Sequence, residues 1–589
     1  MDVLEPRFRW VLPDHVEVPA DASAAANRHG LSDRVAGLLV SRGVPDGAAI
    51  DAFFGEPLDG LHDAALLPDI DLLLGRLALA RDQGERVLVF GDFDADGLTG
   101  LAIMVKALER YGLAVEPYVP SRLDEGHGLS IAALDRAQAI GATVIITVDC
   151  GATSHTEIAE AGRRGLDVIV TDHHRVPPVM PAALAVVDPH RPDSRYPDRR
   201  LAGSGVAFKI AGALLKDLPG GPAEALALAD LATIGTVADV APIVGENRAI
   251  ARLGLAILRA APRPGIAAIL ERAKVEPSAV DLETVSFAIA PRLNAAGRVG
   301  EAVEAARLLL ATTAEDANRH ADALEAANLE RRDLLKAALV EARAAVDVTG
   351  TPAATLIHGP WPVGIVGLLA ARLVEDLGRP AVVGSDQGGS IRASCRSDGS
   401  MDLGAALERC GDLFTRYGGH AGAAGFEIPA ADWDAFRARF LVLAEATAPA
   451  DPRVPLRIDL VVSALEVDYA FLRELAGLAP YGPGNPDPLV AVLGMTVTRV
   501  RSATGGHSQL TLRRDRDVID GIAFGRPDLA EVVHEGDRLD LVARLVSRRF
   551  GGFETLQLEI RDAAPAGHHA GLRVDAAGPA GAPLAGVGA

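Results

Sequence analysis

The chain has 589 residues, more than one hydrophobic core normally organises, so its length predicts three or four domains. Hydrophobic residues make up 49% and charged residues 23%, as in ordinary globular proteins, and no apolar run approaches the ~20 residues of a membrane span. The formal net charge of −21 argues against indiscriminate coating of nucleic acid, although a local positive groove could still attract phosphate.

Cysteine usage and the start of the chain bear on the cellular compartment. The three cysteines, Cys150, Cys395 and Cys410, cannot form a disulfide framework, and no CxxC pair is present. Residues 1–6 are acidic at Asp2 and Glu5 and lack the basic-then-apolar pattern of a signal peptide. We therefore expect a reduced, cytoplasmic protein without membrane contact.

The first strongly patterned region begins at residue 86. Residues 1–80 are rich in Ala and Asp and predict a helical lead-in without recognisable chemistry. From 86 to about 190, apolar runs alternate with helical stretches, which is the rhythm of a parallel, doubly wound sheet. The runs are 87–90, 114–119, 143–148, 167–171 and 184–187, and the helices between them begin near Leu98, Leu129 and Thr153. Ligands of such sheets gather at the carboxyl ends of the strands.

Three carboxylates follow the first of these runs. Asp92, Asp94 and Asp96 alternate through the segment 91–97. Unpaired acids this close repel each other and raise each other's pKa unless a cation neutralises them. Mg²⁺ and Mn²⁺ prefer such oxygen ligands. The alternative is a surface acidic turn in which Asp96 caps the following helix.

The same arrangement recurs further along the chain. Asp149, the triplet Asp172-His173-His174 and Asp239 each follow an apolar run. Neutral imidazole is a good metal ligand, and an adjacent carboxylate can orient it, although a His pair at a strand end is more often structural. Because Asp94, Asp149 and Asp172 occupy the ends of predicted strands, they can share one site. The repetition predicts a two-metal phosphoesterase.

The middle of the chain predicts helices followed by a second α/β region. Residues 201–310 are Ala- and Leu-rich, and the run from Thr313 to Val346 contains no Gly or Pro. That run predicts a single helix spanning two domains, or a bent pair of helices. Strand-like runs then follow at 353–357, 381–383 and 390–394, with helices near 363–377, 403–409 and 431–444.

This second region contains candidate phosphate ligands. Arg392, Ser394 and Arg396 offer guanidinium and hydroxyl donors. In Gly418-Gly419-His420 the glycines let backbone amides approach a phosphate and the imidazole can donate to an oxygen. The alternatives are solvated surface arginines and a Gly-rich turn with a surface His.

The C-terminal part predicts a small β domain. The segment 480–488 is too rich in Pro and Gly for a regular element to cross. Runs at 489–500, 508–514, 518–524, 537–547 and 553–561 predict a five-stranded β-barrel. Arg548 and Phe550 combine charge with an aromatic ring, which suits single-strand binding, though composition alone supports only a small β domain. Residues 566–589 are mostly Ala, Gly and Pro and predict a disordered tail.

Several motifs carry a family resemblance. The segments 91–97, 148–151, 172–174 and 235–239 resemble, in order, the four motifs of the DHH phosphoesterase superfamily. Segments 125–129, 201–208, 291–298 and 418–425 resemble the RecJ family of single-strand-specific exonucleases, the last being the mark of a DHHA1 domain. The resemblance covers roughly 80–565. It implies an α/β protein with a DHH catalytic domain at 81–310, a connecting helix at 311–347, a DHHA1 domain at 348–450 and an OB-fold-like barrel at 451–565.

The resemblance also implies roles for residues. Carried over by position, the metal ligands are Asp94, Asp96, Asp149, His173 and Asp239. Asp149 is the implied bridge between two Mn²⁺ or Mg²⁺ ions, and Asp172 and His174 complete the catalytic set, with His174 supporting the ligands or facing phosphate. Many superfamily members place a His four residues before the first ligand Asp. This chain has Phe90 there, and Asp92 is the candidate substitute.

The implied activity is hydrolysis of single-stranded DNA from the 5′ end, releasing 5′-mononucleotides during recombination and repair. Arg298 is an implied strand contact, the implied partners are a single-strand-binding protein and a helicase, and a monomer is expected. The residues themselves argue only metal-dependent phosphodiester hydrolysis. One alternative is a DHH phosphodiesterase acting on short oligonucleotides or cyclic dinucleotides, which generally lacks the barrel. Another is an inactive scaffold subunit, which would be expected to have lost ligand acids.

Overall fold

A computed structural model describes residues 4–122, 125–349, 353–449, 451, 453–550 and 553–568. The chain divides into two compact units. The catalytic unit comprises Glu56–Ala448 and Gly482–Gly484, and the barrel unit comprises the described parts of Met1–Gly55, Pro449–Tyr481 and Asn485–Ala582. The predicted lead-in at 1–80 is therefore not one element, because the chain passes from one unit to the other after Gly55.

The predicted doubly wound sheet is confirmed. Five parallel strands lie in the spatial order 114–118, 86–91, 142–148, 167–171 and 185–187. Val87 and Val89 of the second strand pack into one hydrophobic cluster, while Leu88 and Phe90 pack into another. Since successive side chains of a strand point to opposite faces, both faces of the sheet are buried.

Helices pack on both faces of this sheet, Ala95–Tyr111 and Gly203–Leu215 in one hydrophobic cluster and Ile131–Ala139 and His155–Arg163 in the other. The other helices of this part of the chain span Ile70–Gln83, Gly221–Leu226, Ala229–Ala238, Gly245–Ala260, Pro264–Ala273, Leu282–Thr284, Ala290–Val299 and Val303–Leu310. Among the described residues no single helix is long and apolar enough to cross a membrane. The bent pair Gly245–Ala260 and Pro264–Ala273 passes that test only when its members are joined.

The predicted connecting helix is a single element of 36 residues, Ala314–Thr349. The mixed sheet that follows has the order 416–419, 423–429, 390–396, 381–386 and 355–359, of which only the last two strands are parallel. Its helices are Val363–Leu377, Leu403–Glu408 and Trp433–Thr447. The sequence does not predict the two strands after residue 415, because Gly418, Gly419 and Gly425 give this segment the composition of a turn.

The six-stranded sheet of the barrel unit contains the predicted five strands and one more. Strands 490–503, 507–514, 517–523, 553–565 and 538–550 close into a ring, because the first and last of these pair with each other. Strand 460–463 extends the sheet in parallel beside 490–503, and helices Tyr469–Ala476 and Leu529–Val532 complete this part.

The N-terminal segment is part of this barrel unit. Strand 9–11 pairs with 455–457, and helices Ala20–Arg28, Asp33–Ser41 and Gly47–Phe54 share the hydrophobic core of the barrel. Residues 9–54 therefore stabilise the barrel by packing. The predicted disordered tail lies outside the described residues from 569 onward.

Candidate metal centre

The first acidic motif follows strand Arg86–Gly91 as predicted. Asp94, not Asp96, is the N-cap of the next helix: its carboxylate accepts from the backbone N of Asp96 at 3.0 Å and of Gly97 at 3.1 Å. Asp92 is buried, with His127 Nδ1 at 3.3 Å from its Oδ2 and no hydrogen-bond partner at its Oδ1. Helix capping therefore explains Asp94 in part and leaves Asp92 and Asp96 unexplained.

Asp96 and Asp149 meet at the start of helix Gly203–Leu215. Asp96 accepts from the backbone N of Gly203 at 2.7 Å and of Ser204 at 3.0 Å, so two amides of the helix N-terminus stabilise its charge. A side chain at Gly203 would put its Cβ 2.6 Å from Cβ of Asp149, so only glycine fits here. Asp149 has a φ of 64°, a strained conformation for a non-glycine residue that aims its carboxylate into the centre.

The Asp172-His173-His174 triplet follows strand Asp167–Thr171, and Asp172 is saturated with protein donors. Its Oδ1 accepts from the backbone N of His173 and His174 and lies 2.8 Å from His174 Nδ1, while its Oδ2 accepts from the N of Ala152. These bonds and the imidazole hold the pKa of Asp172 at about 2 despite its burial. Asp172 therefore shapes the loop that presents His173.

His173 lies at the middle of the acid cluster. Its Nε2 is 3.1 Å from Asp149 Oδ1 and 3.8 Å from Asp96 Oδ2, and its Nδ1 is 4.0 Å from Asp239 Oδ2. Three sets of groups have their ligand atoms within 4.8 Å of one another. They are Asp92, Asp94 and Asp149; Asp96, His173 and Asp239; and Asp149, His173 and His174.

The electrostatics of this cluster fit cations. Burial, together with the neighbouring acids, raises the pKa of Asp92 and Asp96, raises that of Asp149 well above its usual value, and raises that of Asp239 to about 7. Asp149 Oδ1 and His173 Nε2 lie close together but are not aligned for a hydrogen bond, and both lack a partner. Two buried ligand atoms that face each other without bonding are the arrangement a shared divalent ion requires.

A further acid, Asp188, was missed at the sequence level. It is fully buried directly after strand Ala185–Val187, its Oδ2 has no partner, and burial raises its pKa to about 7. The signal was the one that marked the other acids, since Asp188 directly follows the predicted run 184–187.

Arginines lie beside the acids. Arg298 has an unpartnered Nε, and its Nη1 donates to the carbonyl of Gly364 at 3.3 Å. Arg396 donates to Ser394 Oγ at 3.0 Å. Burial and the charges of Arg122, Arg331 and Arg396 lower the pKa of Arg298 to about 9. Arg122, which lies over the ring of Phe93 with Cζ at 4.9 Å, was not singled out from sequence, because a lone Arg in a loop gives no pattern.

The other predicted substrate contacts differ in their surroundings. Arg392 lies 3.7 Å from Glu427, so its charge is partly neutralised. Gly418 and Gly419 belong to the exposed edge strand Arg416–Gly419, and His420 follows in the hairpin turn; no contact among the described residues joins these three to the acids. Arg548 is exposed on strand Arg538–Phe550 of the barrel unit, and the side chain of Phe550 lies outside the described residues.

Comparison with known proteins agrees with this geometry. Three family models match: the N-terminal domain of the DHH family at residues 86–236, the DHHA1 domain at 350–445 and the RecJ OB domain at 458–562. The single-stranded-DNA-specific exonuclease RecJ of Bacillus subtilis is 33% identical over 571 residues, covering 95% of this chain and 71% of the relative. RecJ of Thermus thermophilus is 38% identical over 474 residues, covering 80% and 67%.

A solved structure also matches. The crystal structure of Thermus thermophilus RecJ in complex with Mn²⁺ superposes with a TM-score of 0.81 at 31% identity, covering 95% of this chain and 79% of that one. The fold and the acid cluster at its strand ends define a metal-dependent phosphoesterase of the DHH class. Within that class, the chain belongs to the RecJ family.

Proposed function

We propose that this chain is a metal-dependent exonuclease that hydrolyses single-stranded DNA from the 5′ end and releases 5′-mononucleotides. The observation that carries the proposal is the meeting of two ligand sets around Asp149 and His173, with unpaired arginines beside them. The names of the relatives supply the substrate class. The polarity and the product come from the family resemblance.

Two of the three ligand sets would each hold one Mn²⁺ or Mg²⁺ ion. Asp92, Asp94 and Asp149 would hold one ion, and Asp96, His173 and Asp239 the other. Two such ions, when bound, activate water at neutral pH and neutralise charge on the phosphate oxygens. Many superfamily members have a ligand His where this chain has Phe90, and Phe90 is an apolar residue fully buried in the core. Asp92 takes the place of that ligand.

Protein groups around the ligands fix their orientation. Asp172 binds the backbone of His173 and of His174 and so sets the direction of the His173 ring. The amides of Gly203 and Ser204 hold the Asp96 carboxylate in place. Such supporting bonds set both the affinity and the geometry of a metal site.

The arginines provide the attraction for the strand. Arg122, Arg298 and Arg396 form a positive cluster near Asp94, and Ser394 adds a hydroxyl donor. A guanidinium binds phosphate through parallel N–H donors, so this cluster can hold the strand while the acids face the scissile bond. Gly418, Gly419, His420 and Arg392 remain predicted contacts, as do Arg548 and Phe550 of the barrel.

Neither alternative function has an observation in its favour. A phosphodiesterase for short oligonucleotides or cyclic dinucleotides has no need of the barrel that matches the RecJ OB domain. An inactive scaffold is disfavoured because all five ligands implied by the resemblance are present and gathered. A single-strand-binding protein, a helicase and a monomeric state remain predictions.

One assay tests the proposal. Single strands labelled at the 5′ or the 3′ end, the matching duplexes and a circular single strand are incubated with Mn²⁺, Mg²⁺ or EDTA. We expect the 5′ label to appear at once as a mononucleotide, the duplexes and the circle to resist, and EDTA to stop the reaction. Cleavage of the circle, or early release of the 3′ label, would contradict the proposed polarity.

A further inference from the structure

Two sets of arginines with little solvent exposure can be distinguished in the catalytic unit. In the first set, ion pairs of 2.5–2.6 Å to carboxylates are formed by Arg76, Arg191, Arg263 and Arg292. In the second set, no described carboxylate lies within ion-pair distance; its members are Arg122, Arg298, Arg331 and Arg396. A buried cation without a counterion is destabilising, so the second set requires a separate explanation.

Arg331, like Arg122, was indicated neither by the motifs nor by the family resemblance. It lies on helix Ala314–Thr349 with 7% of its surface exposed. Its Nη2 donates to Oδ1 of Asn328, one helical turn earlier, at 3.0 Å, and Asn328 is itself buried. Its Nε has no partner, and no described residue bonds to its Nη1. The guanidinium is therefore held in one orientation by a neutral group while its charge remains uncompensated.

Arg331 is electrostatically part of the cluster beside the acids. Its charge, with those of Arg122 and Arg396, lowers the pKa of Arg298, while Asp94 acts on Arg298 in the opposite sense. The positive region thus extends from the acid centre to the long helix. A bound anion would relieve the repulsion that these side chains exert on Arg298.

We propose that Arg331, oriented by Asn328, binds a phosphate of the nucleic-acid strand whose scissile bond lies at the acid cluster. The helix Ala314–Thr349 is then part of the substrate-binding surface as well as a connector. The planar guanidinium presents parallel N–H donors that match phosphate oxygens. This inference rests on the proposed function and adds a binding residue to it.

The test compares two neighbouring residues of equal charge. Arg331→Gln removes the buried guanidinium, and Arg332→Gln removes an exposed one from the next position of the same helix. Binding of single-stranded oligonucleotides to the full-length protein is measured in EDTA across a salt series. For Arg331→Gln we expect Kd to rise roughly 10- to 100-fold, as for loss of a hydrogen bond to a charged group, and the salt slope to shrink by about 0.7. Arg332→Gln should bind nearly as the parent protein does.

Kinetics and stability separate binding from a structural role. With Mn²⁺, Arg331→Gln should raise KM and leave kcat close to the parent value, because the contact is remote from the reacting atoms. The thermal unfolding temperature without DNA should be unchanged or higher, because an unpaired buried charge has been removed. Equal Kd, salt slope and KM for the two variants would overturn the proposal, as would a drop in unfolding temperature without loss of binding.

Strands with a 5′-phosphate or a 5′-hydroxyl identify which phosphate is bound. An equal loss of affinity for both strands assigns Arg331 to an internucleotide phosphate, and a loss confined to the phosphorylated strand assigns it to the terminal one. Failure of the proposed function has a different signature: the parent protein would cleave no single strand with Mn²⁺. The binding measurements in EDTA would still test Arg331 in that case.

Discussion

Buried carboxylates of the two units differ in whether their oxygens have hydrogen-bond partners. In the barrel unit, Asp562 is fully buried, and its oxygens accept from the backbone N of Arg7 and Phe8, from Trp10 Nε1 and from Arg526 Nη1. In the catalytic unit, Asp149 is almost as deeply buried, yet its Oδ1 has no partner. Removing one partner of a satisfied buried charge destabilises a fold, whereas an unsatisfied buried acid requires another explanation, such as a bound ion.

The strongest way to test this comparison is to remove the unsatisfied acid. Asp149→Ala should lower nuclease activity by at least roughly 10³-fold, because two of the three ligand sets contain Asp149 and lose a member. The fold should be retained, since no hydrogen bond to the carboxylate is lost. Mn²⁺-dependent turnover and circular dichroism measure the two quantities, with the exposed Asp82→Ala as control. Turnover of Asp149→Ala at the parent rate would contradict the metal assignment.

Removing the satisfied acid should have the opposite pattern. Asp562→Ala leaves the Arg526 guanidinium and three other donors without their shared acceptor, so we expect it to destabilise the barrel unit by about 3–5 kcal/mol. Hydrogen exchange should accelerate in strand 490–503 and remain unchanged in strand 86–91. The control is Asp528→Ala, which removes an exposed partner of the same arginine. Equal acceleration in both sheets would show that the effect is not confined to the barrel unit.

A smaller effect is expected from the residue that supports the metal ligands. Asp172→Asn weakens the acceptor that fixes the His173 backbone and the His174 ring, so Mn²⁺ affinity should fall roughly 10- to 100-fold. Isothermal titration calorimetry measures the change, and the exposed Asp135→Asn serves as control. Complete loss of Mn²⁺ binding would instead place Asp172 among the ligands themselves.

The smallest expected effect is the pH dependence of metal binding. The pKa of Asp239 in the metal-free centre is raised to about 7 by burial, and a carboxylate must lose its proton to bind a cation. Below pH 7 protons therefore compete with Mn²⁺, so affinity should rise with pH between 6 and 7 by at most about tenfold per proton released. Above pH 7 the contribution of Asp239 levels off. Asp239→Asn should flatten this part of the profile, and an unchanged profile would assign the competing proton to another group.

Most of the catalytic sheet and its acids could be predicted because their signals are local. An apolar run followed by an acid marks a strand end, and parallel strands bring their carboxyl ends to one edge. This pattern indicates Asp94, Asp149 and Asp172, and Asp188 shows the same pattern after the run 184–187. The sequence pattern does not distinguish which acid caps the helix, because Asp94 and Asp96 are both suitable capping residues. In the folded protein Asp96 instead accepts hydrogen bonds from the amides of Gly203 and Ser204.

The sequence by itself determined the order of elements, the doubly wound sheet, the long helix, the barrel strands and the acid motifs, because periodicity and strand-end chemistry are written over a few consecutive residues. Only the tertiary structure decided that residues 9–54 belong with the barrel, since Ala-rich helices carry no mark of the core that they will join. Tertiary structure also gathered Arg122, Arg298, Arg331 and Arg396 from a loop, two helices and a strand. No spacing in the chain relates these four. Their shared character is the absence of a described carboxylate within ion-pair distance, which becomes visible only when all neighbours are in place.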